Sequence, residues 1–202
     1  MNYEKYKNAR NCAWQLLIDN KITQLPVKIS NICQNLGIKI IPYSLWNIDN
    51  AKNDGYTRYV GDELCIFYDD KCSPQRCRFT IAHELGHIIL GHVKKGFKTK
   101  VNREPSITDD PLETQANLVA IRILSPACVL WALHINSADD IARICDISLQ
   151  SATFRLERLK LLYKREQDFI RKYNKSCFLM SDLEKKVYNQ FKPFINQFFQ
   201  QR

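Results

Sequence analysis

The chain has 202 residues, of which 45% are hydrophobic and 25% charged. That is the composition of an ordinary soluble globular protein, long enough for one sizeable core or a core with a small appendage. No apolar run approaches the roughly 18 to 20 residues of a membrane helix, and the charges scattered through "MNYEKYKNARNCAWQLLIDN" exclude a secretory signal there, so a cytoplasmic protein with no membrane partner is expected. The net charge of +9 is uneven: from Ile141 to Arg202 there are 13 Lys/Arg against 6 Asp/Glu.

In chain order, the first twenty residues carry Ala9, Ala13, Leu16 and Leu17 near a 3.6-residue period and predict an amphipathic helix. "LPVKISNICQNLGIKI" predicts a short helix stopped by Gly37, then a strand. "GYTRYVG" and "ELCIFYD" predict a β-hairpin turned by Gly61-Asp62. "CSPQRCRFTIAHELGHIILGH" predicts a helix that starts at Ser73-Pro74 and ends near Gly91. The polar segment from Val93 to Asp110 predicts a loop, a candidate lid over a cleft. Asp110 as cap and Pro111 as first helical residue open a further helix that stops at Ser125-Pro126. Beyond it, "SADDIARICDISLQSATFRLERLKLL" predicts two short helices turning at Asp146-Ile147-Ser148, and the remainder predicts helix interrupted at Pro193.

The chemistry is concentrated at residues 83 to 87, "HELGH". Residues four apart stand one above the other on a helix, so His83 and His87 can both direct a ring nitrogen at one zinc ion. Glu84, one step round, suits a general base for a water activated by that ion. The surrounding Ile81, Ala82, Leu85, Ile88, Ile89 and Leu90 make two unmetallated histidines and a glutamate costly to bury. A catalytic zinc takes three protein ligands. The next helix offers Glu113, with Asn117 on the same face as a hydrogen-bond partner for the far nitrogen of a ligand histidine. Rivals for the third ligand are Glu104, Asp109, Asp110 and His92. The first three have less rigid support, and His92 reads as a helix-end or surface histidine. Candidate donors to the tetrahedral oxyanion are Tyr56, Arg58 and His134.

"RFTIAHELGHIILGH" followed by "LETQANLVAIRILSP" resembles the ImmA/IrrE family of metallopeptidases, whose members show an F-T-x-A-H-E-L-G-H helix and then E-x-E-A-N. The likeness extends to "LPVKISNICQNLGIKI" upstream and "DISLQSATFRLERL" downstream, covering roughly residues 10 to 163. Gln115 departs from it, standing where the family commonly has Glu. The resemblance implies an α+β fold: a mostly helical, zincin-like peptidase domain with a small β-sheet over residues 1–135, a helix-turn-helix-like segment over 136–163 and a helical extension over 164–202. It implies a gluzincin-like peptidase holding one zinc ion on His83, His87 and Glu113, with Glu84 as base. It also implies a protein substrate, since studied members cut a helix-turn-helix repressor of a mobile element or a stress response.

Two other functions remain open on the residues alone. A DNA-binding regulator with structural zinc would present Arg155 and Arg158 to phosphates; a small bundle packed on the peptidase is the preferred reading of that segment. A non-catalytic module would grip a repressor without cutting it. The eight cysteines (12, 33, 65, 72, 77, 128, 145 and 177) contain no CxxC and read as reduced thiols. The aromatics of "VYNQFKPFINQFFQQR" are expected to pack on the body.

Overall fold

The computed structural model describes residues 3–46, 53–93, 110–173 and 181–201. Among them are eight α-helices and a three-stranded sheet, an α+β, mostly helical architecture as expected. The chain divides into two compact units: residues 1–13 with 28–124, and residues 14–27 with 125–202. This division differs from the expected boundaries at 135 and 163, the second of which falls inside a continuous helix.

In the first unit, α2 (Ile29–Asn35) ends on Gly37, whose φ of +69° an L side chain rarely adopts. The chain then enters β1 (Lys39–Pro42), followed by a 3-10 turn over Tyr43–Trp46. The predicted hairpin is present as β2 (Gly55–Val60) and β3 (Glu63–Tyr68), with Gly61 at φ +62° in its turn. The strand order is β1-β3-β2, with β1 parallel and β2 antiparallel to the central β3. Side chains alternate across a sheet. On one face Tyr43, Cys65 and Phe67 form a buried cluster with Ile41, Tyr56 and Val60 against it. The opposite face carries Gly55 and Thr57 towards α3 (Pro74–Ile89), and α4 (Pro111–Leu124) packs on α3 in turn.

The second unit holds α5 (Ala127–Ala132), α6 (Ala138–Cys145), α7 (Leu149–Tyr173) and α8 (Asp182–Gln200), together with the end of α1 (Tyr3–Asp19). The second of the two predicted short helices is instead the 25-residue α7. No Gly or Pro breaks it, and the inward positions Ala152, Arg155 and Leu159 continue at helical spacing into half-buried Leu162, Tyr163 and Glu166. Tyr163 donates to Ile135 O at 3.0 Å, and Trp131 Nε1 donates to Glu166 at 2.8 Å.

Two expectations are corrected here. Pro193 does not interrupt α8, which runs through it on an exposed position; of the aromatics expected to pack, Phe191 is fully buried and Phe194 and Phe198 half-buried, while Phe199 is exposed. Arg155 is not presented to phosphates: it is buried, and its guanidinium donates to the Ser125 carbonyl. Only Arg158 of that pair is exposed, which removes the specific support for a DNA-reading helix. The stretch Pro111–Ala132 is long and apolar enough to cross a membrane, but 78% of its most apolar 18-residue window is buried within the protein, as in a core helix.

Candidate metal centre

The helix carrying the histidines is fixed at both ends by its own sequence. Ser73 accepts from Arg76 N at the N-cap and Pro74 occupies the first turn, where its missing N–H costs nothing. Arg76 Nε also donates at 2.6 Å to the buried carboxylate of Asp54, tying the helix start to the chain just before β2. From Thr80 to His87 every residue is buried.

Gly86 sets the distance to the next helix. A Cβ there would lie 2.9 Å from Ala116 O and 3.1 Å from Ala116 Cα, so the backbones of α3 and α4 touch. That contact brings Glu113, one turn before Ala116, to the two histidines. His83 Nε2 and His87 Nε2 are 3.0 Å apart. Glu113 Oε2 is 3.2 Å from His83 Nε2, and its Oε1 is 3.3 Å from His87 Nε2. Donors about 2.0 to 2.1 Å from a tetrahedral zinc stand roughly 3.3 Å from one another. These three groups therefore surround a space of that ion's size, and among the described residues they form the group of ligand type that converges in this way.

The charge distribution fits a cation too. Burial raises the Glu113 pKa, but hydrogen bonds and charge from His83 and His87 outweigh it and hold the carboxyl down at about 2. Glu113 is thus an anion at neutral pH. His83 Nδ1 is 2.8 Å from Asn117 Oδ1 and donates to it, so Nε2 is the atom that faces Glu113. Without a metal it shares a proton with the carboxylate, and an ion bound there would take that proton's place. Gln115 turns away and donates to Pro111 O at 3.0 Å, so Glu at that position is not needed for the cluster.

Glu84 is fully buried beside the histidines, and Thr57 Oγ1 donates to its Oε2 at 2.6 Å. Gly55 makes room for this: a Cβ there would collide with Thr80 Cγ2 and lie 2.8 Å from Phe67 O. The sequence reading missed Thr57. The available signal was the strand period itself, which puts Gly55 and Thr57, both small, on one face of β2.

That same period turns Tyr56 and Arg58, two of the candidate oxyanion donors, away from Glu84. Both project from the other face of β2, where Tyr56 stacks on Phe67 at 4.9 Å and the Arg58 guanidinium lies 5.0 Å from the Phe67 ring. His134 belongs to the second unit, where it follows α5 at φ +54° with its ring 5.9 Å from that of Phe199. Of the rivals for third ligand, Asp110 is exposed and caps α4, accepting from Leu112 N at 2.8 Å. Glu104, Asp109 and nearly all of the proposed lid lie outside the described residues, as does Cys177. His92 is half-buried and bonded to His87, on the ring nitrogen that faces away from the cluster. Burial and then the charge of His87 lower its pKa.

A buried H-E-x-x-H helix, joined by a glutamate from the following helix, defines a metallopeptidase centre. The family model for the IrrE N-terminal-like domain matches residues 33–157, and the chain belongs to this ImmA/IrrE family of metallopeptidases. A comparison with curated proteins finds no match.

Proposed function

We propose that the chain is a zinc endopeptidase, with His83, His87 and Glu113 as ligands of one ion and Glu84 as general base. The observation that carries this reading is the convergence of those three ligands beside a buried carboxylate oriented by Thr57. His83, His87 and Glu113 would hold the ion, which would supply Lewis acidity to a water molecule and to the scissile carbonyl. Glu84 accepts the proton of the attacking water on its carboxylate and later returns it to the leaving amine nitrogen. Thr57 holds that carboxylate in register throughout, and Asn117 keeps the proton of His83 on Nδ1. The apolar wall of α3 keeps bulk water from the proton being shuttled.

The substrate we infer is a cytoplasmic helix-turn-helix repressor. This rests on the resemblance to repressor-cutting members of the family, and a peptidase at least requires a protein substrate. The test is N-terminal profiling of a cell lysate exposed to zinc-loaded protein, alongside Glu84→Gln. The expected result is new N-termini within helix-turn-helix proteins, about one zinc per chain in both forms, and a cleavage rate about 10²- to 10⁴-fold lower in the variant. A variant that cuts as well as the parent would overturn the assignment of Glu84, and a chain that takes up no zinc would overturn the centre.

A further inference from the structure

Among the described residues, five helices end in the same way. In the Schellman cap, the residue after the cap turns left-handed, and its successor's N–H reaches back to the carbonyl five residues earlier. Helix α1 closes with Ile22 N donating to Leu17 O at 3.0 Å, α2 with Ile38 N to Cys33 O at 2.9 Å, α5 with Ile135 N to Leu130 O at 3.2 Å, and α6 with Ile147 N to Ala142 O at 3.2 Å. Helix α3 closes with His92 N to His87 O at 2.9 Å, and Gly91 N to Ile88 O at 3.0 Å, with Gly91 at φ +71°. The motif normally seats an apolar residue at this last position against the final turn. Isoleucine fills it in four of the five caps; in the helix of the metal centre it is histidine.

The consequence is a side-chain contact as well as a backbone one. His92 Nδ1 lies 3.1 Å from His87 Nδ1. Only one hydrogen fits between two ring nitrogens at that distance. His87 Nε2 faces His83 and Glu113, and as a ligand atom it must keep its lone pair. The hydrogen of His87 therefore sits on Nδ1 and is donated to His92 Nδ1, while His92 carries its own on Nε2.

We infer that His92 is a positioning residue of the metal centre, accepting the His87 Nδ1 hydrogen as Asn117 accepts that of His83, and that the Schellman cap at Gly91 exists in α3 to place it. This rests on the reading of His83, His87 and Glu113 as zinc ligands. The arrangement fixes His87 in the tautomer that ligates and holds its ring against rotation. It also explains why the cap's outer residue is polar in a helix whose preceding residues are apolar.

The test is the zinc dissociation constant, by competition with a chromophoric chelator, for the parent chain, His92→Ala and His92→Gln, with the thermal midpoint of each metal-free protein. His92→Ala is expected to weaken zinc binding about 10- to 100-fold without moving the metal-free midpoint. His92→Gln, whose side-chain carbonyl accepts the same hydrogen, is expected to recover most of that loss. In the zinc-loaded parent, imidazole nitrogen NMR is expected to report His92 protonated on Nε2 and His87 on Nδ1. Parental zinc affinity in His92→Ala, or a His92 protonated on Nδ1, would overturn the inference while leaving the zinc centre standing. A parent chain that binds no zinc would instead overturn the centre.

Discussion

A single hydroxyl on β2 donates to the proposed base. Thr57 is fully buried, and its bond to Glu84 crosses from sheet to helix over 27 residues of sequence. Hydrogen bonds to a buried charged group are worth about 1.5 to 3 kcal/mol. Thr57→Val, which keeps the shape and removes the donor, is therefore expected to lower stability by about that amount in urea unfolding. Thr57→Ser should stay close to the parent, and zinc content should be unchanged in both. A Thr57→Val protein as stable as the parent would mean that Glu84 does not depend on this bond. The histidines, Glu84 and Glu113 were legible beforehand because their spacing is local: i, i+4 on one helix, and a carboxylate one turn into the next. Thr57 was not legible because its role depends on which face of a strand meets which helix. The pleat likewise decides that Tyr56 and Arg58 face Phe67 and not Glu84. His92 lay within reach of the sequence, since Gly91-His92 directly after an apolar helix is a cap signature, but its partner was the residue already assigned to zinc.

Helix boundaries set by one residue's own backbone chemistry were the easiest to read. Ser73-Pro74, Asp110-Pro111 and Gly37 bounded their elements as expected because each acts through its own backbone chemistry. The length of α7 and the continuity of α8 were not so bounded. In α8, the capping box of Ser181 and Glu184 and the buried face of Val187, Phe191 and Ile195 hold the helix through Pro193. A proline in a helix interior removes one hydrogen bond and costs about 3 kcal/mol. Here it faces solvent, where water can reach the unbonded carbonyl. Pro193→Ala is accordingly expected to stabilise the full chain by about 1 to 3 kcal/mol in urea unfolding, the range set by helix propensity. An unchanged or lower midpoint would show that the helix relies on the bend that proline imposes.

Each of the two units hides a thiol that sets an alkaline limit on the whole molecule. Burial pushes Cys33 in the first unit and Cys128 in the second up to about 12, from an ordinary value of 9.0. Tyr163 is likewise pushed up to about 12, by burial and then by Glu166. The folded chain keeps these groups protonated where the unfolded chain has begun to lose its protons. Their contribution is intact below about pH 9 and is lost progressively as pH rises towards about 12. The urea midpoint is expected to fall between about pH 8 and about pH 10.5, and replacing both cysteines by alanine should flatten part of that slope. A midpoint independent of pH over this range would contradict the burial of these thiols. At this scale the family match over residues 33–157 runs beyond Leu124, where the first unit ends, and stops within α7. The sequence alone marked no boundary at Leu124, because Ser125-Pro126 reads as a helix stop and not as the seam between two cores.

The backbone contact at Gly86 and Ala116 has a consequence for how this centre can vary. The separation of Glu113 from the histidines is set by two helices touching at one missing side chain. A side chain at residue 86 would push those helices apart and carry Glu113 away from the histidines, although every ligand and the base were still in the sequence. The smallest residue in the site thus governs whether its chemical groups meet.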